Sequence, residues 1–139
     1  MGDESTQQSG YADWPDYRVD LRRVRNLIRV THGDRVIAET TRGLLVDEQD
    51  HGIAFYVPES DVRFDLLVAD PETTTRCPFK GNARYWRPAD HPDLVAWMYP
   101  EPYPEVALLH GHVGFYQDRV RVEVGVADPA VSAPYARSR

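Results

Sequence analysis

The segment LIRVTHGDRVIAET, residues 27–40, predicts two β-strands joined by a tight turn. Apolar and β-branched side chains recur through 27–31 and again through 35–40, a composition that is typical of strands. Between these runs, Gly33 can adopt a positive φ, and the side chain of Asp34 can hydrogen-bond its own backbone. We therefore expect a β-hairpin here, and the rest of the chain repeats its pattern.

Further short strands follow this hairpin, separated by turns that are rich in glycine and proline. The dipeptide Asp70-Pro71 should end one of them, at 62–69. We expect 82–87 to pair with 94–99, and 113–116 to pair with 119–124 as a final hairpin. The complete set of these expected strands is 42–46, 53–57, 62–69, 82–87, 94–99, 113–116 and 119–124.

The helical content is expected to be small. No window of a dozen residues has the period of an amphipathic helix, and 104–110 should form one or two helical turns. The eleven prolines cannot occupy central strands, so they belong to corners and sheet edges. The predicted fold class is all-β: a compact fold of two antiparallel sheets, a sandwich or an open barrel, with at most one or two short helical turns.

A chain of 139 residues suits one domain with its own core. We expect 1–17 to be a disordered or loosely packed arm, 18–126 to be a single β domain, and 127–139 to be a flexible tail. Both ends are rich in polar and small residues, which favours disorder. Within the arm, Trp14 and Tyr17 are expected to pack on the domain.

Composition narrows the class of partner. A net charge of −6 and an isoelectric point near 5.3 disfavour binding of nucleic acid, because such binding needs a positively charged protein surface. One cysteine allows no internal disulfide and no four-thiolate zinc site, and it favours a reducing, cytoplasmic location. Residues 1–10 lack the apolar run of a signal peptide, and no stretch approaches the roughly 18 apolar residues of a membrane span. We expect no membrane partner, and a monomer or homodimer.

The motif Cys77-Pro78-Phe79-Lys80-Gly81 is the strongest candidate for chemistry. Cys77 could be a nucleophile next to a basic group, or a buried structural thiol. Lys80 could bind an anion, with Gly81 letting the backbone approach closely, or it could be a surface lysine before a turn. Lys80 is the stronger functional candidate, and Cys77 is expected in the core at the rim of a pocket.

Aromatic side chains follow this motif at Tyr85, Trp86, Trp97, Tyr99 and Tyr103. On strands, Tyr85 and Trp86 should point to opposite faces, whereas Trp97 and Tyr99 should share one face. Aromatic walls suit flat or cationic ligands, and ordinary core packing is the alternative interpretation.

Two acids and two histidines complete the candidates. Glu48 and Asp61 could accept hydrogen bonds from a ligand or act as a general base, or they could be a solvated charge and a turn cap. His110 and His112 would share a strand face at a spacing that suits a metal, but the sequence shows no third ligand. We therefore predict no metal site and leave any cofactor unknown.

Taken in order, these motifs resemble a bacterial family named domain of unknown function 427, which also carries the label nucleotidyltransferase-like family 9. The resemblance covers roughly residues 25–124 and is specific as an ordered set. It rests on 33–38, 44–48, Tyr56-Val57-Pro58-Glu59-Ser60-Asp61-Val62, Cys77-Pro78-Phe79-Lys80-Gly81, Ala83-Arg84-Tyr85-Trp86, Ala96-Trp97-Met98-Tyr99-Pro100 and 111–116.

The resemblance implies a compact β fold similar to the β-tent group, whose members often use aromatic pockets. Many of those members hold zinc with paired cysteines, which this chain lacks, so no zinc site is carried over. Nucleotidyl transfer needs clustered carboxylates to hold Mg²⁺, and no such cluster is visible in the sequence. The site residues that the matching motifs imply are Tyr56, Asp61, Cys77, Lys80, Tyr85, Trp97 and Tyr99.

The function that we predict is binding of a small anionic or aromatic ligand in an aromatic-lined pocket. Lys80 would meet an anionic group, and Trp97 and Tyr99 would form walls. Glu48 or Asp61 would accept hydrogen bonds. The alternatives are an enzyme, either Cys77-dependent or nucleotidyltransferase-like, and a structural or interaction module that dimerises through an edge strand.

Overall fold

The structure, a computed structural model, describes residues 9–127 and is built mainly from β-strands. The ten strands are β1 (Val19–Arg23), β2 (Asn26–His32), β3 (Arg35–Thr40), β4 (Leu44–Glu48), β5 (Gly52–Pro58), β6 (Leu67–Cys77), β7 (Gly81–Pro88), β8 (Ala96–Met98), β9 (His112–Phe115) and β10 (Arg121–Ala127). Helical content within 9–127 is confined to short 3-10 segments at Gly10–Ala12, Glu59–Asp61, Phe64–Leu66 and Pro104–Leu109. The expectations for 1–8 and 128–139 lie outside the described residues.

The strands form two sheets in which every pair is antiparallel. The larger has the order β1-β4-β5-β9-β8-β7-β6, and the smaller has the order β10-β2-β3. Neither sheet of the described part closes into a barrel. The predicted all-β fold of two antiparallel sheets is therefore confirmed. Among residues 9–127, no helix has the length and apolar character needed to cross a membrane.

The hairpin at 27–40 is confirmed. Strands β2 and β3 pair antiparallel from Ile28 opposite Thr40 to His32 opposite Arg35. Gly33 turns the chain with φ of 61°, in the left-handed region that favours glycine. The expected pairing of 82–87 with 94–99 is also confirmed, by β7 and β8.

The final hairpin that we expected between 113–116 and 119–124 is wrong. Strand β9 pairs with β5 and β8 inside the larger sheet, whereas β10 pairs with β2 in the smaller one. All four residues of β9 are buried, as befits a central strand with a partner on each side. A turn in which the amides of Arg119 and Val120 donate to the carbonyl of Tyr116 carries the chain from one sheet to the other.

The strand that we expected at 62–69 is also corrected. Val62 makes an isolated bridge to Ala38, and the continuous strand starts only at Leu67. It does not end at Asp70-Pro71 but runs on to Cys77. The proline is tolerated because β6 is an edge strand whose register shifts between Asp70 and Thr75.

The larger sheet separates two hydrophobic cores. The first lies between the sheets and includes Ile28, Val30, Val57 and Phe115. The second lies on the other face of the larger sheet, where the 3-10 segment Pro104–Leu109 packs against it. Its buried members are Leu44, Val46, Tyr56, Ala83, Tyr85, Tyr99, Val106 and Leu109.

The larger sheet is strongly curled towards this second core. Glu48 ends β4, and Lys80 lies in the turn between β6 and β7. Four strand spacings separate β4 from β7 in the sheet order, which is about 19 Å in a flat sheet. Yet the Lys80 ammonium forms an ion pair with the Glu48 carboxylate. The face that carries the second core is therefore concave, and this pair bridges its two sides.

Candidate functional site

Lys80 and Glu48 form the centre of the candidate site. Their side chains are only 8% and 12% exposed, and Nζ of Lys80 donates to Oε1 of Glu48. Alternation along β4 places Glu48 on the same face as Leu44 and Val46, so it points into the concave side. Cys77 Sγ lies 4.0 Å from Lys80 Nζ. The sequence contains one lysine and one cysteine, and both are in this cluster.

Residues 9–17, which we call the cover segment, lie across this ion pair. The amide of Gly10 donates to the carbonyl of Pro78 at 2.6 Å. The ring of Tyr17 stacks on Phe79, with centroids 3.7 Å apart and planes 11° apart, and Tyr11 meets the same ring edge-on at 5.0 Å. The hydroxyl of Tyr17 donates to Oε2 of Glu48 at 2.5 Å. The cover segment therefore joins both the motif around Lys80 and its acidic partner.

Aromatic side chains form part of the second core on the same concave face. Trp97 Nε1 donates to the hydroxyl of Tyr56 at 3.0 Å. The hydroxyl of Tyr85 bonds Thr75 Oγ1 at 2.6 Å. Burial raises the pKa values of Tyr56 and Tyr99, so both stay protonated at neutral pH. The hydroxyls of Tyr56 and Tyr99 are therefore uncharged groups that can donate and accept hydrogen bonds.

Gly114 makes room for the contact between Tyr56 and Trp97. It lies on β9 opposite both residues, and the two rings meet edge to face above it. A Cβ at this position would lie 2.7 Å from the indole and 3.0 Å from the Tyr56 ring. The absence of a side chain at Gly114 therefore lets the two rings pack close to β9.

The pKa of Glu48 is set by competing effects. Burial raises it, but hydrogen bonds from Lys80 and Tyr17 and the Lys80 charge outweigh burial and hold the pKa below its ordinary 4.5. Because the folded-state pKa is depressed, Glu48 contributes stability that is complete above about pH 4.5. That contribution is lost as the pH falls through the folded-state pKa.

We predict that Glu48→Gln will flatten the acid limb of the stability profile. The free energy of unfolding should fall less between pH 6 and pH 3.5 in Glu48→Gln than in the wild type, because one depressed carboxyl has been removed. Urea unfolding at each pH measures this difference. Parallel profiles for the two proteins would contradict the assignment.

Seven of the eight predicted site residues meet on the concave face: Glu48, Tyr56, Cys77, Lys80, Tyr85, Trp97 and Tyr99. Tyr85 and Trp86 belong to different cores, and Trp97 and Tyr99 to the same one, as strand alternation predicts. Asp61 lies elsewhere, where its carboxylate accepts from Thr40 Oγ1 at 2.7 Å and from Arg42 at 3.2 Å.

Sequence reasoning missed two residues of the site, Tyr17 and Phe79, as contacts of the pair. Phe79 lies inside the motif that singled out Lys80, so its position was a usable signal. Tyr17 was expected only to pack on the domain, and it lies 31 residues from Glu48 in the sequence. No local pattern links residues that far apart.

Two depressions are lined in part by the cover segment. A polar groove of about 610 Å³ is lined by Ser9, Gly81, Asn82 and residues 100–105, among others. A smaller depression of about 340 Å³ is lined by residues 13–17 and Gln49. Gly81 has φ of 125°, and a Cβ there would lie 3.0 Å from the carbonyl oxygen of Glu101. The close approach at Gly81 is therefore made by the chain's own backbone.

The histidines are not placed as a pair. His112 is buried with Nδ1 2.9 Å from the carbonyl oxygen of His110, whose own side chain is exposed. Within residues 9–127, no three side chains of His, Cys, Asp or Glu are grouped so that they could hold a metal ion.

Comparison with known proteins assigns the family. A search of curated proteins finds no match to this chain. A family model described as Domain of unknown function (DUF427) matches residues 20–126, which span nearly all of the two sheets. The chain therefore belongs to the DUF427 family, as the order of its motifs implied.

Proposed function

We propose that this chain binds a small planar molecule with a hydrogen-bond donor, in the space that the ring of Tyr17 fills between Phe79 and Glu48. The observation that carries the proposal is the placement of Tyr17, which stacks on Phe79 and donates to Glu48. A flat ring held face to face, with its donor on a carboxylate, is the arrangement expected of a bound aromatic ligand. Tyr17 therefore acts as an internal occupant of the site.

The position of the cover segment supports exchange of this occupant for a ligand. The segment precedes β1 and lies outside both sheets. Ser9 lines the groove of about 610 Å³, and Tyr17 lines the depression of about 340 Å³. Gly81 and Gln49, which follow Lys80 and Glu48 in the sequence, line the first and the second of these spaces. Each volume already lies within the roughly 300–1,000 Å³ typical of ligand pockets.

The electrostatics favour an uncharged ring over an anion at this position. Glu48 is ionised at neutral pH and neutralises Lys80, so the pair carries no net charge. When Tyr17 leaves, Oε2 of Glu48 loses a donor, and a ligand hydroxyl or ring N–H can replace it. Of the anionic and aromatic ligands that the sequence suggests, the aromatic one has the better support here.

A Cys77-dependent enzyme is the second candidate, favoured by the 4.0 Å distance between Cys77 Sγ and Lys80 Nζ. An ammonium next to a thiol is an arrangement that generally activates cysteine nucleophiles. Because this is the sole cysteine, alkylation of the protein at neutral pH reports on it directly. A thiol that stays inert after the cover segment is loosened by Tyr17→Ala would remove this candidate.

The proposal predicts that Tyr17→Ala will bind p-cresol, the analogue of the tyrosine side chain, about tenfold more tightly than the wild type. In the wild type the site is already filled by Tyr17, which competes with any added ring. Trp14→Ala is the matched control: Trp14, 67% exposed, lines the same smaller depression, whereas the stacking on Phe79 and the hydrogen bond to Glu48 belong to Tyr17. Titration calorimetry and the rise in melting temperature measure binding in the three proteins.

Toluene tests the polar part of the site. It matches p-cresol in shape but lacks the hydroxyl that would donate to Glu48, so Tyr17→Ala should bind it more weakly. Equal affinity of all three proteins for p-cresol would overturn the proposal. Equal affinity of Tyr17→Ala for toluene and p-cresol would remove the role of Glu48.

A further inference from the structure

A second concave site, which we call the arginine groove, lies at the opposite end of β1. It has a volume of about 350 Å³ and is lined by Arg23, Arg25, Arg42, Pro58 and His112. The pairing of Val19 with Glu48 places the start of β1 beside the site described above, whereas Arg23 ends that strand. The arginine groove is therefore a separate site.

Arg23 is held in this groove by uncharged acceptors. Its Nη1 donates to the carbonyl of Arg42 at 2.5 Å and lies 3.0 Å from Nε2 of His112. His112 Nδ1 lies 2.9 Å from the carbonyl of His110, which assigns the proton to Nδ1 and leaves Nε2 to accept from Arg23. The guanidinium is thus fixed in position while its charge is not neutralised.

The neutral state of His112 follows from its surroundings. Burial lowers its pKa, and the charges of Arg23 and Arg42 lower it further. These effects outweigh the hydrogen bond to the His110 carbonyl and the charge of Glu59, which act in the opposite direction. An uncharged imidazole can keep accepting from Arg23 at neutral pH.

The groove keeps an excess of positive charge in a chain whose net charge is −6. Arg42 has a carboxylate partner, Asp61 at 3.2 Å. Among residues 9–127, no ion pair joins Arg23 or Arg25 to a carboxylate. Two uncompensated guanidinium groups on one concave surface repel each other, and an anion between them would relieve that repulsion.

We propose that the arginine groove binds a compact oxyanion with two negative charges, either a phosphate group or a dicarboxylate. Guanidinium groups match both because their planar forks form paired hydrogen bonds to two oxygens. Arg23 is held ready in the groove by its hydrogen bonds, and Arg25, which is also exposed, closes on the anion from the connection between β1 and β2. Arg42 adds a third donor at the edge.

Titration with inorganic phosphate and with malonate, at one ionic strength and pH 7.5, tests this site. Calorimetry should show saturable binding of at least one of them, and the side-chain resonances of His112 should shift in NMR spectra as the anion binds. If only phosphate binds, the ligand of the arginine groove carries a phosphate group. If only malonate binds, the ligand is a dicarboxylate.

Arg25→Gln and Arg23→Gln should each weaken that binding about tenfold, the effect of losing a charge-assisted hydrogen bond. Arg25 is exposed, so its variant is expected to fold normally even if Arg23→Gln is destabilised. Arg22→Gln is the matched control: it removes the same charge one residue away on β1, outside the groove. Absence of saturable binding by both anions, or equal weakening in Arg22→Gln and Arg25→Gln, would overturn the proposal.

Discussion

Replacing Lys80 with methionine is expected to lower the free energy of unfolding by about 3 kcal/mol. The substitution leaves the Glu48 carboxylate on the concave face without its cation, and Glu48 is only 12% exposed. Removing one partner of a buried pair generally costs about 3–5 kcal/mol, because the remaining charge is uncompensated. We place the loss at the lower end because Tyr17 still donates to Glu48. Equilibrium unfolding in urea at neutral pH measures it.

The double variant Lys80→Met/Glu48→Gln separates this cause from simple loss of packing. Once the carboxylate is also removed, no buried charge remains, and at least half of the lost stability should return. Arg63→Met is the matched control, because Arg63 forms an ion pair with Asp65 in which both side chains are exposed. It should leave the stability close to that of the wild type. A Lys80→Met variant no less stable than Arg63→Met would show that the pair does not hold the curled sheet together.

Gly114→Ala is expected to destabilise the protein by about 2–3 kcal/mol, the upper range for overpacking in a core. The new Cβ would lie 2.7 Å from the Trp97 indole, so the ring must move away from β9. That movement breaks the 3.0 Å hydrogen bond from Trp97 to Tyr56 in a buried place. The unfolding midpoint reports the lost stability, and tryptophan fluorescence of the folded variant reports the displaced ring.

Gly125→Ala is the control for glycine replacement in a strand. A Cβ on Gly125 would meet Leu27 at 3.7 Å, which is ordinary contact. Alanine is also no worse than glycine as a strand residue, so the variant should match the wild type or be slightly more stable. If Gly114→Ala were as stable as Gly125→Ala, the rings could not be packed against β9 as described.

Local patterns predicted the parts of this fold that depend on neighbouring residues. Alternation and turn chemistry were enough for the hairpin at 27–40 and for the opposite faces of Tyr85 and Trp86. The partner of β10 could not be found in this way, since a short turn before a strand looks the same whether the chain folds back or crosses to another sheet. The strand end predicted at Pro71 was wrong for a related reason. A proline is tolerated in an edge strand, and only the sheet order shows that β6 is one.

The candidate site was partly predictable for the same reason. Lys80 and Cys77 share one motif, and strand alternation places Trp97 and Tyr99 together. Glu48 was predicted as a site residue independently of Lys80. Its contact with Lys80 depends on the curl of a seven-stranded sheet. Sheet curl arises from the twist and packing of all strands together, and no single segment encodes it.

The pairing of β10 with β2 has a consequence for synthesis of the chain. Arg121 pairs with Thr31, 90 residues earlier (121 minus 31), so the smaller sheet stays incomplete until residues 121–127 have left the ribosome. Until then the nascent β2–β3 hairpin presents an open edge, which is a site for pairing with other chains. A message truncated just before the codon for Arg121 would encode every strand of the larger sheet, and its product would still be a substrate for chaperones and proteases.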